Sequence, residues 1–268
     1  MNNHSTDRNA CPPENFLMAD RYFVEMPITS DRAMLDGAEA HHLIHVMRAK
    51  RGAHVMLFDG SGAEYSATVE NVGRADVELK ILSREAIDRE LPLEIVLGVA
   101  IPKGDRQKWL VEKAVELGVA AIVPLKTEHA VAQPHEQALD RLRRAVVEAS
   151  KQCGRNRLME IHAPQSWAKF VEGSAAEPCR LLAHPHGFHR GASPLPREST
   201  PKRVLLAVGP EGGFSPSEVT IAVATGWHTI DLGRRILRIE TASLLLTAMI
   251  TQWYAGQETT LADMPSSK

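Results

Sequence analysis

Arg203-Val204-Leu205-Leu206-Ala207-Val208-Gly209-Pro210-Glu211-Gly212-Gly213-Phe214 decides the fold. Residues 204–208 are apolar without alternation. A strand with one face in water alternates, so an unbroken apolar run reads as a strand covered on both faces. Gly-Pro and Gly-Gly then break the run. Residues 215–225 follow with helical period. Strand, glycine-rich turn and helix are the repeating parts of an α/β domain.

Towards the N-terminus, residues 93–101 (LEIVLGVAI) are a second run of the same kind. Residues 106–117 read as a helix, with Leu110, Ala114 and Leu117 on one face and Lys108 and Glu112 at i,i+4 outside it. Gly118 ends that helix, because glycine takes positive φ without steric cost. Strand follows over 119–125, helix over 136–151 and strand over 179–184. Towards the C-terminus come a strand over 227–232 and a helix over 240–254. This alternation predicts helices packed on a parallel sheet. Connection rules disfavour threaded chains, so periodicity by itself predicts no knot.

The N-terminal part has a different pattern. Residues 54–58 (HVMLF) are a short apolar run closed by Asp59-Gly60-Ser61-Gly62. Residues 64–70 and 76–81 alternate, with Asn71-Val72-Gly73-Arg74 as the turn between them. Short strands joined by tight turns predict a small barrel or sandwich over 19–87, with one helix over 38–47. Asp88-Arg89-Glu90-Leu91-Pro92 marks the boundary, leaving 88–268 as the α/β domain. Residues 1–18 are polar, carry Pro12 and Pro13, and read as a disordered tail.

Composition narrows the function classes. Lys plus Arg is 31 and Asp plus Glu is 33, a net charge of −2, which excludes a histone-like coat of positive charge but not a local basic patch. Three cysteines, Cys11, Cys153 and Cys179, cannot form a dense disulfide framework and suit a reducing compartment, the cytoplasm. No apolar h-region opens the chain, and no apolar run approaches the roughly 18 residues that span a bilayer.

Chemistry is concentrated at two strand ends. The turn at residues 209–213 lets backbone approach a ligand where open α/β sheets form their crevices. It is not a P-loop, since no Gly-Lys-Ser/Thr follows, and Glu211 and Phe214 stand where a dinucleotide fingerprint needs glycine. The second strand end carries Gly233-Arg234-Arg235-Ile236-Leu237-Arg238 directly before a helix, a place that favours anions. Basic residues also cluster at Lys103, Arg106, Lys108 and Lys113 and again between Arg141 and Arg157, although such runs are usually solvated helix faces. His41 and His45 have i,i+4 spacing, and His184, His186 and His189 form a second group. No cysteine or carboxylate cluster completes either as a metal site, so no metal is expected.

Taken in order, residues 112–119 (EKAVELGV), 152–155 (QCGR), 209–214 (GPEGGF) and 232–242 (LGRRILRIETA) resemble the RsmE family. These are bacterial 16S ribosomal RNA uridine N3-methyltransferases of the SPOUT superfamily. Arg21-Tyr22-Phe23, His41-His42-Leu43 with Met47-Arg48, and Phe58-Asp59-Gly60-x-Gly62-x-Glu64-Tyr65 are similar to the family's PUA-like RNA-binding barrel. The resemblance implies a C-terminal SPOUT-type α/β domain with a trefoil knot, binding S-adenosylmethionine and forming a homodimer. By the resemblance, Leu206, Gly209, Pro210, Glu211, Gly212 and Gly213 would hold the cofactor together with Leu232, Gly233, Ile236, Leu237 and Ala242. Arg21, His41, His42, Arg48, Lys103, Arg106 and Arg155 would contact small-subunit ribosomal RNA or the assembled 30S particle. Arg238 is the expected catalytic cation, with Arg235 as the alternative, and Glu240 and Glu211, the acidic residues inside these motifs, are the candidates for a base or for a structural role. One position departs from the pattern: Ile239 stands where the family usually has threonine, so a hydroxyl is lost beside Arg238 and Glu240. Three other readings remain open: a methyltransferase of another RNA, an RNA-binding or assembly module without turnover, and a nucleotide-binding enzyme with Asp231 on a ribose.

Overall fold

The computed structural model describes residues 20–130, 134–188 and 201–262. The expected N-terminal tail and His189 lie outside them. The chain divides after Asp88 into two compact units.

The first unit is a five-stranded sheet. Its strands are β1 (Arg21–Phe23), β2 (Arg32–Leu35), β3 (His54–Phe58), β4 (Ala63–Val72) and β5 (Val77–Ala86), in the order β1-β3-β4-β5-β2. β1 runs parallel to β3, and the other pairings are antiparallel. Alternation puts Tyr22, Val55, Leu57, Tyr65, Ala67, Val69, Val77 and Leu79 into one core with Leu35 and Leu43. The expected single helix is divided: α1 (Gly37–His41) passes into a π-helical turn, His42–Val46. Met47 N donates to His42 O at 3.0 Å, the i→i−5 bond of that turn.

The second unit carries β6 (Glu94–Val99), β7 (Ala121–Lys126), β8 (Glu160–Ile161), β9 (Gln165–Ser166), β10 (Arg180–Phe188), β11 (Arg203–Val208) and β12 (His228–Ile230). The main order is β12-β10-β11-β6-β7-β8, with β9 paired to β7, and every pairing is parallel. The helices are α2 (Arg106–Glu116), α3 (Glu136–Cys153), α4 (Trp167–Gly173), α5 (Pro216–Ala224) and α6 (Ile239–Ala262). β6 shows how the layers form. Ile95, Leu97 and Val99 point into a core with α2, α3 and α6, while Val96 points into a second core with Trp167, Phe170 and Trp227. A sheet buried on both faces explains the unbroken apolar runs. Gly98 is glycine for a packing reason, since a Cβ there would lie 2.6 Å from the Phe170 ring.

Local chemistry sets the helix ends. Gly118 follows α2 at φ +78° and Gly154 caps α3 at φ +75°. Ser215 and Glu218 close a capping box on α5, with Pro216 in its first turn. Chain order turns at β6: β7 and β8 lie to one side, β11, β10 and β12 to the other. Such a turning point leaves a crevice at the C-terminal strand ends. Among the described residues no helix is long and apolar enough to cross a membrane.

Candidate functional site

Two cavities lie at those strand ends. The first, of about 250 Å³, is walled by residues 209–213 after β11 and residues 231–237 after β12. Ala183, His184 and Pro185 of β10 and Ile239 and Ala242 of α6 complete it. Both loops are shaped by their own residues. A Cβ on Gly209 would stand 2.9 Å from the Phe214 ring and 3.1 Å from Phe214 N, so the loop closes on itself only with glycine there. Gly213 sits at φ +71°, and Gly213 N donates to Pro210 O at 2.8 Å. In the other loop, Asp231 Oδ1 accepts from Gly233 N at 2.8 Å, with Gly233 at φ +120°.

The lining fits a ligand of mixed character. Leu232, Leu237, Ile239 and Ala242 give apolar wall, Asp231 a carboxylate, and the glycine loop backbone free of side chains. S-adenosylmethionine has matching parts: an aromatic base, polar ribose hydroxyls and a charged amino acid end.

The second cavity, of about 200 Å³, is lined by Ala100, Ile101, Pro102, Lys103, Arg106 and Ala130. It shares Pro210, Glu211 and Ile239 with the first, so that segment stands between the two. Arg106 Nη1 lies 3.3 Å from Glu211 Oε1 and 3.6 Å from Glu240 Oε2. Glu240 is 6% exposed and its Oε2 accepts no hydrogen bond among the described residues. One guanidinium thus links the starts of α2 and α6 to the glycine loop.

A second brace comes from α5. Glu218, nearly buried, accepts from Ser215 N and from Glu128 N, each at 2.9 Å. His129 Nδ1 lies 3.2 Å from Gly213 O, and its Cβ is 3.2 Å from where a Cβ on Gly212 would stand. The segment after β7 is therefore fastened to the glycine loop. The Ser215-x-x-Glu218 spacing was readable as a capping box, but His129 and Glu128 carry no local signal.

The residues expected at the cofactor separate cleanly. Gly209, Pro210, Glu211, Gly212, Gly213, Leu232, Gly233, Ile236, Leu237 and Ala242 all line the first cavity, as does Arg235. Ile236 does so while 95% exposed. Leu206 does not line it: it is fully buried in β11, registered between Leu181 and Leu97. The cavity begins at Val208, because the apolar run extends the strand beyond Leu206. Arg238 is exposed and lines neither cavity, and its carbonyl accepts from Ala242 N at 2.9 Å. Glu240 likewise lines neither, because it is turned inward against Arg106.

The residues expected on RNA divide as well. Lys103 and Arg106 wall the second cavity. Arg155 is corrected to a structural residue. It is 5% exposed, its Nε lies 2.9 Å from Glu90 Oε1, and its Nη1 donates to Val119 O at 2.7 Å. The cause is the turn after α3, which directs the side chain beneath α2. Arg21 is also held inward: Nη1 meets buried Glu64 at 2.9 Å and the guanidinium lies over the Phe58 ring. His41 and Arg48 are exposed, and Arg48 adopts φ +53°. His42 is half-buried against Tyr22. His41 and His45 have ring centroids 4.7 Å apart. Cys179 is buried, its thiol pushed up to about 12 by desolvation, so it offers no nucleophile near neutral pH.

Comparison with known proteins agrees with this geometry. Residues 89–251 match a family model described as an RNA methyltransferase domain, and residues 35–82 match one described as an RNA methyltransferase PUA domain. The ribosomal RNA small subunit methyltransferase E of Synechocystis is 34% identical, over 88% of this chain and 78% of that protein. The Bacillus subtilis protein of the same name is 28% identical, over 86% and 95%. A solved structure of ribosomal RNA small subunit methyltransferase E from Neisseria gonorrhoeae, bound to S-adenosyl methionine, superposes with a TM-score of 0.78 at 28% identity, covering 88% of this chain and 98% of that one. A strand-end crevice, a glycine loop facing an arginine loop and these matches place the chain in the ribosomal RNA small subunit methyltransferase E family of RNA methyltransferases.

Proposed function

We propose that this protein transfers the methyl group of S-adenosylmethionine to N3 of a uridine in small-subunit (16S) ribosomal RNA. The observation that carries the reading is the first cavity, where ten of the eleven residues expected at the cofactor meet at one strand-end crevice. When bound, S-adenosylmethionine supplies an electrophilic methyl carbon on a sulfonium. The chain has to supply the rest. It binds and orients that group with the two loops, and it brings N3 into line, which can account for much of the rate. N3 carries an imide proton that has to leave, and a cation near the ring favours the anion. Arg235, in the cavity wall, and Arg238, just beyond it, are the cations proposed for that role. N3 lies on the pairing edge, so the base has to be unpaired or extruded.

The N-terminal unit, with its PUA match, is the proposed RNA grip, through exposed His41 and Arg48. A trefoil knot in the C-terminal unit, a homodimer, a cytoplasmic location and either free ribosomal RNA or the 30S particle as substrate belong to the same reading. The test is methylation of small-subunit particles from a strain lacking the activity, read by mass spectrometry of nucleosides. The expected product is 3-methyluridine, formed by wild type and lost in Arg238→Ala. No 3-methyluridine with wild type and cofactor overturns the reaction. A non-catalytic RNA-binding module would instead show RNA binding and no response to S-adenosylmethionine in calorimetry.

A further inference from the structure

The second cavity has no role in cofactor binding as argued above, yet it shares a wall with the cofactor cleft. Its floor is apolar, from Ala100, Ile101, Pro102 and Ala130. Its charged lining is Lys103, Arg106 and Glu211. Of the residues facing both cavities, Pro210, Glu211 and Ile239, only Glu211 can ionise. Its carboxylate is held by Arg106 at 3.3 Å, and Arg106 is anchored in turn beside buried Glu240.

Resting on the methyltransferase reading, we infer that this cavity receives the extruded uracil and that Lys103, Glu211 and Arg106 read its pairing edge. The match is one of donors and acceptors. Uracil offers O2, N3–H and O4: acceptor, donor, acceptor. The cavity lining holds two cations that donate, Lys103 and Arg106, and one carboxylate that accepts, Glu211. Cytosine has a bare N3 and an amino group, so it would set a lone pair against the Glu211 carboxylate and an N–H against a cation. Discrimination by such an edge is worth about tenfold or more. The cavity's apolar residues would pack on the ring, as apolar side chains do in other pockets for extruded bases.

Glu211 then has a second task. As the base becomes a nucleophile, the N3–H bond breaks, its electron pair stays on nitrogen, and the proton passes to a Glu211 carboxylate oxygen. Lys103 and Arg106, which line this cavity, stabilise the charge left on the ring oxygens in addition to the Arg235 and Arg238 cations proposed above. Because Glu211 also lines the first cavity, this transfer happens beside the methyl donor. The charged groups facing Glu211 are Arg106 and Lys103 on one side and His184, Asp231 and Arg235 on the other.

The experiment uses the full chain with the isosteric Glu211→Gln and with Lys103→Ala. Single-stranded U10 and C10 RNA are the binding probes, at saturating S-adenosylmethionine. Wild type should prefer U10 by about tenfold, and each variant should reduce that preference to within about twofold. Calorimetric affinity for S-adenosylmethionine should change less than about threefold in Lys103→Ala, because Lys103 lines the second cavity and not the first. Glu211→Gln should lose at least a hundredfold in methylation rate, because an amide cannot take the N3 proton. Equal affinity of wild type for U10 and C10, or a Glu211→Gln protein that keeps its rate, overturns the inference. Those results leave the methyltransferase reading intact if wild type still makes 3-methyluridine. Absence of both cofactor binding and product overturns the parent reading instead.

Discussion

Asp59 is the residue on which the turn between β3 and β4 is built. Its Oδ1 accepts from Ser61 N at 3.0 Å, and its Oδ2 accepts from Ile28 N at 3.0 Å and Tyr65 Oη at 3.2 Å. Burial alone would raise this carboxyl, but the hydrogen bonds from Ser61, Ile28 and Tyr65 outweigh it and hold the group below its ordinary 3.8. A carboxyl depressed on folding contributes stability above its unfolded value and loses it as pH falls through the folded one. Asp59→Asn should therefore cost about 1 kcal/mol at neutral pH and close on wild type as pH falls below about 4. Urea unfolding at a series of pH values measures this, and a constant gap down to strong acid contradicts it. Part of this residue was legible: Asp59-Gly60-Ser61-Gly62 reads as a turn, and Gly60 and Gly62 have φ of +81° and +97°. The bond to Ile28 was not, because it joins residues 31 apart through folding alone. Gly209 is the matching case in the second unit. Gly209→Ala should force Phe214 away, lowering stability by about 1–3 kcal/mol through overpacking and cofactor affinity by about tenfold. A variant with unchanged melting temperature and unchanged S-adenosylmethionine titration would show that the loop does not depend on that contact.

Among the elements, Arg155 separates charge as sequence from charge as structure. The stretch QCGR reads as the exit of a basic helix, and nothing local says that its arginine points in. The structure ties it to Glu90 and to the carbonyls of Val115 and Val119. Removing one partner of a buried ion pair costs about 3–5 kcal/mol, so Arg155→Ala should lose that much in urea unfolding. Its RNA affinity should keep the salt dependence of wild type, because no phosphate contact is removed. Retained stability with a log–log salt slope flattened by about 0.7 would return Arg155 to the RNA surface. The long elements were legible because their periods are sustained: α3 begins at Glu136 as expected and runs to Cys153, and β6 and β11 match their apolar runs. The short ones were not. α4 has seven residues, and its place is fixed by Trp167 and Phe170 packing on Phe214 and Trp227, contacts distant in sequence. The π-helical turn at His42–Val46 was unreadable because one extra residue in a turn leaves the local apolar pattern almost unchanged.

For the whole molecule, alternation of strand and helix was enough for a parallel sheet but not for its order. Sequential strands tend to be neighbours, whereas here β10 follows β9 in the chain and lies beyond β11, away from β7 and β8. The crevice was legible at both loops because glycines and arginines at strand ends have few purely structural uses. Its neighbouring cavity was not, since Ala100, Ile101 and Pro102 read only as the end of a strand. α6 carries the remaining question. Ile239, Ala242, Leu246 and Ile250 are buried against the sheet and α2. Leu245 and Met249, one turn apart on another side, are 37% and 38% exposed. A surface helix normally turns charged or polar residues outward, and apolar residues left half-exposed at i,i+4 form a stripe that association would cover. The proposed cover is the same helix of a second copy, since a two-fold axis makes one apolar stripe complementary to itself. Light scattering at micromolar concentration should give twice the chain mass of 29.5 kDa. Leu245→Glu with Met249→Glu should bring that mass down to one chain, because burying four carboxylates across the axis costs far more than the stripe gains. A wild-type mass of one chain, or a double variant that stays at two, removes α6 as the dimer contact.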